Sequence, residues 1–206
     1  MSELLQTRDL TCVKDDRVLF EGLNISLSAG QILLVEGKNG SGKTSLLRIL
    51  TGLSLPESGE ILWKGEPISE VGADYYEQVN YVGHHDGIKR DLTCLENLRL
   101  VQAMGKPLPI SLDDALEKVN LYRYGENFVA TLSAGQKRRL ALARLVVTEA
   151  SLWIMDEPFT SLDKASMAMF QTMFEQHLSS GGVIVMTSHH DIEMPESDVV
   201  RLNLSE

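Results

Sequence analysis

Gln31-Ile-Leu-Leu-Val-Glu36, followed by Gly37-Lys38-Asn39-Gly40-Ser41-Gly42-Lys43-Thr44, is the stretch whose reading decides the fold. The first six residues form a short apolar run, the pattern of a buried strand. The next eight match GxxxxGK[ST]. Lys43-Thr-Ser45-Leu-Leu-Arg-Ile-Leu-Thr-Gly52 then continues as an amphipathic helix, with Gly52 placed to end it. Glycines at these spacings let the backbone curl so that successive N–H groups face one point, and the helix N-terminus adds partial positive charge there. That environment suits a phosphate chain. Lys43 is placed to reach outer phosphates and Thr44 to ligate Mg²⁺.

Outward from this stretch the chain alternates. Residues 1–30 read as short strands with turns at Asp15-Asp16 and Gly30, residues 59–68 as a hairpin and 79–83 as a strand. From about 85 to 148 the pattern becomes helical. Thr93 with Glu96 and Ser133 with Gln136 fit the capping box, Ser111 with Asp114 resembles it, and Gly105 is placed to end the first helix. Buried strands return at Leu152–Met155 and Val183–Met186, with a helix near 163–179 between them. Strands that alternate with helices and lack period-2 polarity predict an α/β fold with a mainly parallel sheet, an antiparallel part and an inserted helical subdomain. The expectation is one domain spanning residues 1–206.

Composition narrows the function classes. The chain has 206 residues, 43% hydrophobic and 23% charged, enough for one real core. No run approaches the ~18 apolar residues of a membrane span, and the N-terminus lacks the basic and apolar segments of a signal peptide. The net charge of −10 argues against a polybasic grip on lipid or nucleic acid. Cys12 and Cys94 are far apart without metal-ligand spacing, so they read as reduced thiols.

Three further stretches carry chemistry. Leu152-Trp-Ile-Met-Asp156-Glu157 is an apolar strand ending in two carboxylates. A parallel strand delivers its C-terminal residues to the edge where ligands bind. Asp156 is suited to the Mg²⁺ shell, through water, and Glu157 to orienting and deprotonating an attacking water. Leu132-Ser133-Ala134-Gly135-Gln136 opens a helix; its hydroxyl and small residues make a γ-phosphate site that could serve another subunit's nucleotide. Val183-Ile-Val-Met-Thr-Ser-His189 brings an imidazole to the same edge as Asp156.

In this order the motifs resemble the ATPase domains of ABC transporters, over nearly the whole chain. Leu-Ser-Ala-Gly-Gln at 132–136 stands where that family has LSGGQ, Ser161-Leu162-Asp163 where it has the D-loop, and His189 where it has the switch histidine. The resemblance implies ATP as substrate, and a head-to-tail homodimer in which Ser133, Gly135, Gln136 and Asp163 of one copy meet ATP on the other. Two positions depart from it. The Q-loop glutamine is His84, and the aromatic that usually stacks on adenine is Lys14, which implies that the base is held weakly.

Val82-Gly-His-His-Asp-Gly-Ile-Lys89, Leu92-Thr-Cys-Leu-Glu-Asn-Leu98 and Leu152 through Thr160 resemble more narrowly the CcmA ATPases of bacterial c-type cytochrome maturation. That implies haem export or haem handling, an integral membrane subunit of the CcmB type as partner, and a peripheral place on the cytoplasmic face of the inner membrane. The alternative is a soluble ABC ATPase acting on another macromolecule. Those proteins usually carry a coiled coil or tandem ATPase domains, which this sequence lacks.

Overall fold

The computed structural model describes residues 3–188 and 198–205. In chain order the elements begin with β1 (Glu3–Lys14), β2 (Arg17–Ser28), β3 (Ile32–Glu36), α1 (Lys43–Leu50), β4 (Ser58–Trp63) and β5 (Glu66–Pro67). Two short helices, α2 (Ile68–Val71) and α3 (Ala73–Glu77), lead to β6 (Val79–Val82). Then come α4 (Cys94–Met104), α5 (Leu112–Lys118), α6 (Ala134–Ala143), β7 (Leu152–Asp156), α7 (Lys164–Ser179), β8 (Val183–Thr187) and β9 (Val199–Asn203). Among the described residues, one sheet has the order β6-β7-β8-β3-β9 and every pair in it is parallel. The other, β2-β1-β4-β5, is antiparallel.

The parallel sheet is buried on both faces, which is why its strands show no polar alternation. Ile32, Leu34, Met155, Ile184 and Met186 pack with Phe170, Phe174 and the α4–α6 helices. Leu33, Val35, Ile154, Val183 and Val185, the alternate residues, pack with Leu46, Leu47 and Leu50 of α1 and with the antiparallel sheet. Parallel registry sends Glu36, Val82, Asp156 and Thr187 to one edge.

The first 30 residues are not short strands. β1 and β2 are a ladder of two 12-residue strands closed by Asp15 and Asp16 at φ 50° and 57°, a left-handed pair of the hairpin type. Register shifts break the ladder between Thr7 and Leu10, where Asp9 has φ 47°. Such bulges interrupt the two-residue period, so one long strand reads as several. β9 is the other departure: its pattern of half-buried and exposed residues carries little apolar signal, yet it pairs with β3 in register.

The helices between β6 and β7 are capped as their sequence predicts. Thr93 and Ser133 each complete a capping box, and the Ser111 hydroxyl accepts from the Asp114 N–H. Cys12 and Cys94 are buried free thiols in separate clusters, and burial pushes Cys94 up to about 11. No helix among the described residues is long and apolar enough to cross a membrane.

Candidate active site

The loop between β3 and α1 can only be built with glycine at two points. Gly37 has φ 142°, and a Cβ there would lie 2.6 Å from Ser41 Oγ. Gly42 has φ 102°, and a Cβ would meet Leu19 at 3.0 Å. Gly42 starts α1 without any side-chain cap, leaving the first N–H groups of the helix to an incoming anion. Lys43 is buried, and its ammonium donates to the carbonyls of Gly37 (2.6 Å) and Lys38 (3.2 Å). These bonds hold the loop curled around the lysine.

A cavity of about 450 Å³ opens over this loop. Asn39, Gly40, Gly42, Lys43, Thr44 and Ser45 form one wall, and His84, Asp156 and Glu157 another. Lys14, Asp15, Arg17 and Leu19 of the β1–β2 turn form its outer rim, with no Phe, Tyr or Trp. Lys14, Arg17 and Lys43 bring cations to the cavity, and Asp15, Asp156 and Glu157 bring an equal number of carboxylates.

Asp156 sits at the end of β7, 3% exposed, and both its oxygens are engaged. Thr44 Oγ1 donates to Oδ2 at 2.7 Å and Thr187 Oγ1 donates to Oδ1 at 2.7 Å. A hydroxyl and a carboxylate converging beside the phosphate loop are hard oxygen donors of the kind Mg²⁺ takes. Among the described residues no group of three or more His, Cys, Asp or Glu could hold a metal by itself, so such an ion would draw its remaining ligands from phosphate and water. Burial, with the Asp156 charge second, raises the pKa of Tyr81 on the neighbouring strand and keeps it a neutral phenol.

Glu157 has φ 48°, a left-handed conformation that costs a non-glycine residue about 1–3 kcal/mol. Two bonds offset that cost. Its N–H donates to Thr187 Oγ1 at 2.8 Å, and its carbonyl accepts from Arg138 Nη2 at 2.9 Å. Thr187 therefore fixes both carboxylate residues at once. Thr187→Val keeps the shape but strips the Asp156 donor and leaves the Glu157 N–H without its acceptor. We expect a loss of about 1–3 kcal/mol in denaturant unfolding, and a fall in turnover larger than any change in nucleotide affinity. Unchanged steady-state ATPase activity would refute this positioning role.

Arg138 is the functional residue that sequence reasoning missed. It lies on α6, 4% exposed. Its guanidinium donates to the carbonyls of Asp156 (2.8 Å), Glu157 (2.9 Å), Pro158 (3.0 Å) and Gly83 (3.0 Å), and to Asp86 Oδ1 at 3.0 Å. One side chain thus ties the helix that starts at Ser133 to the end of β7 and to the His84 loop. The only signal in the sequence is the run Lys137-Arg138-Arg139, which reads as a solvated face.

The other candidate residues lie elsewhere in the same chain. Ser133, Gly135 and Gln136 stand at the start of α6 and do not line the cavity; Ser133 Oγ accepts from the Gln136 N–H at 3.2 Å. Gly135 sits so close to Ser161 that a Cβ would meet its carbonyl oxygen at 2.8 Å. Asp163 caps α7, its carboxylate accepting from the Ser166 N–H at 2.8 Å, and its hydrogen bonds to Ser166 lower its pKa. It also lies outside the cavity. His189 lies outside the described residues. A single chain therefore assembles phosphate loop, His84, Asp156 and Glu157 around one cavity, and the α6 start and Asp163 lie outside its lining.

Residues 20–160 match the family described as ABC transporter. The cytochrome c biogenesis ATP-binding export protein CcmA of Nitrosospira multiformis is 46% identical over 98% of this chain and 98% of its own. The protein of that name from Methylococcus capsulatus is 47% identical over 95% of each, and the one from Escherichia coli K12 is 42% identical over 98% and 97%. Among solved structures, a putative ABC transporter ATP-binding protein from Pyrococcus furiosus superposes with a TM-score of 0.82 at 24% identity, over 97% of this chain and 96% of its own. The ATP-binding cassette MJ0796, solved as a dimer in a post-hydrolysis state bound to ADP and Pi, gives 0.79 at 20% identity over 97% and 94%.

Proposed function

This chain belongs to the ABC transporter ATP-binding family, and we propose from that premise that it is the ATP-hydrolysing subunit of an exporter complex serving c-type cytochrome biogenesis. The observation that carries the chemistry is the convergence of the uncapped α1 start, Lys43, Thr44, Asp156 and Glu157 on one cavity. The relatives named for cytochrome c biogenesis, at 42–47% identity over nearly the full chain, support the biological assignment. The export role in the names of these relatives disfavours an ATPase acting on a soluble macromolecule.

In this reading the triphosphate takes the place of the loop carbonyls that Lys43 now bonds, and its oxygens receive the N–H groups at the start of α1. Thr44 and Asp156 would hold Mg²⁺, Asp156 through water, and such an ion would supply neutralisation of phosphate charge. Glu157 orients a water toward the γ-phosphorus and accepts its proton as the bond to ADP breaks, giving ADP and inorganic phosphate with no phosphoenzyme. His84, which lines the cavity, meets the γ-phosphate side, and the same role is assigned to His189 from its sequence position alone. Ser133, Gly135, Gln136 and Asp163 complete the site of a second copy, so that two ATP molecules are enclosed by two chains. The dimeric MJ0796 cassette supports that pairing as a precedent of the same fold.

The partner is an integral membrane subunit of the CcmB type, and the chain is peripheral on the cytoplasmic face of the inner membrane. The segment from His84 to Arg90 joins the two: His84 lines the nucleotide cavity, while Ile88 and Lys89 line a separate groove against α4. Fractionation of cells with and without the membrane subunit tests this. Pelleting should require that subunit, and Lys89→Glu should weaken it while the purified protein still binds nucleotide. Equal pelleting in both cell types would overturn the docking assignment.

A further inference from the structure

The groove against α4 contains a cation that the fold itself leaves uncompensated. Arg144 closes the C-terminus of α6, and its side chain is half-buried between Leu140, α4 and the Gly87–Lys89 loop. A Cβ placed on Gly87 would lie 3.1 Å from Arg144 Nη1, so the guanidinium reaches the floor of the loop. Among the described residues no carboxylate forms an ion pair with it. Burial lowers its pKa. Arg138, about one and two-thirds helical turns earlier, contrasts with it by having every donor direction used. The α6 dipole offsets part of the burial cost at Arg144, an effect of about 0.3–1 kcal/mol, but supplies no counter-ion.

The groove is preformed. Asn97 is 5% exposed and clasps the loop, accepting from the Lys89 N–H at 2.8 Å and donating to the Lys89 carbonyl at 3.0 Å. Its cavity is small, about 60 Å³, with an apolar wall of Leu98, Leu100, Val101 and Met104. Met104 is 71% exposed and Leu100 37%, so the apolar wall continues to the surface. A recessed cation beneath an apolar rim, with Lys89 beside it, matches an amphipathic segment that carries one carboxylate. An anionic lipid surface fits less well: the cation is set back in a narrow cleft, and the chain carries −10 net charge that opposes approach to it.

We propose that this groove receives a cytoplasmic segment of the membrane subunit and that a carboxylate of that segment forms an ion pair with Arg144. The inference rests on the membrane-subunit reading and adds to it the chemistry by which the partner is recognised. An ion pair formed only in the complex sets the register of docking and penalises segments lacking the carboxylate, which would further desolvate the half-buried arginine without supplying a counter-ion.

The test is co-purification of this chain with a tagged membrane subunit from co-expressing cells. Arg144→Glu should reduce recovery at least about tenfold, Arg144→Lys should retain most of it, and both purified variants should bind nucleotide as the parent does. On the Arg144→Glu background, each Asp and Glu of the membrane subunit's cytoplasmic loops is changed to Lys in turn, and one change should restore recovery. If Arg144→Glu destabilises the chain, Arg144→Gln with a salt titration replaces it: parent recovery should fall with ionic strength and that of the glutamine variant should not. Parent-like recovery of Arg144→Glu, or failure of every reversal, overturns the ion pair while leaving docking intact. Failure of the parent itself to co-purify overturns the docking reading and the ion pair with it. Arg144-dependent binding to phosphatidylglycerol vesicles free of the membrane subunit would assign the groove to lipid and overturn the proposal.

Discussion

Glu157→Gln is expected to bind ATP as the parent does and to hydrolyse it about 10²–10⁴-fold more slowly, the usual worth of a positioned general base. Glutamine has the size and backbone preference of glutamate, so the left-handed φ of 48°, the Thr187 bond and the Arg138 bond all persist. What disappears is the capacity to take a proton from water. Lys43→Ala differs in kind. It removes the group that holds the phosphate loop, with bonds to Gly37 and Lys38, and should impair binding and turnover together. Steady-state kinetics with a separate nucleotide-binding titration distinguishes the two variants. Parental turnover in Glu157→Gln would remove that residue from the chemistry.

Arg138→Leu is expected to show the largest loss of stability of any single substitution near the site. It strands Asp86, whose side chain is 27% exposed, and removes one donor from each of the carbonyls of Asp156, Glu157 and Pro158, of which Glu157 keeps the Thr160 N–H. Breaking a buried, hydrogen-bonded ion pair from one side costs about 3–5 kcal/mol. Arg138→Lys should recover only part of this, because an ammonium cannot reproduce a planar fork reaching four carbonyls and a carboxylate. The readout specific to positioning is kinetic. In Arg138→Lys protein that remains folded, kcat should fall more than KM rises, since the Glu157 carbonyl loses its anchor while the phosphate loop is untouched. A variant that is merely less stable, with parental kcat at a temperature where it is folded, would make Arg138 purely structural.

The residues that meet ATP chemistry were legible because each carries a local pattern. The phosphate loop needs glycine at Gly37 and Gly42 for steric reasons that repeat in any chain building the same curve. An apolar strand that ends in Asp156-Glu157 advertises its own placement at the sheet edge. The capping boxes at Thr93 and Ser133 are likewise short-range. The residues that support them were not legible, because their partners are distant in sequence. Thr187 reads as the polar end of a strand, and only the registry Asp156↔Thr187 between β7 and β8 makes it a clamp. Arg138 reads as one of three consecutive cations until the helix turns it inward toward Gly83 and Asp156. β9 reads as surface because it pairs at the sheet edge with few buried side chains. The long β1–β2 ladder was hidden by its own bulges.

The central claim is that the α6 start of one copy completes the cavity of another. Its geometric basis is that Ser133, Gly135 and Gln136 do not line the cavity of their own chain. Binding that exists only in the paired form shifts the monomer–dimer equilibrium by mass action. Sedimentation velocity of Glu157→Gln protein, with ATP and Mg²⁺ present and absent, measures that shift most directly. A species of twice the monomer mass is expected with ATP, and monomer without it. Adding Ser133→Arg should return the ATP-bound sample to monomer, by placing bulk and charge where the partner's γ-phosphate must sit. Monomer throughout with saturating ATP, or a dimer indifferent to Ser133→Arg, would contradict the claim.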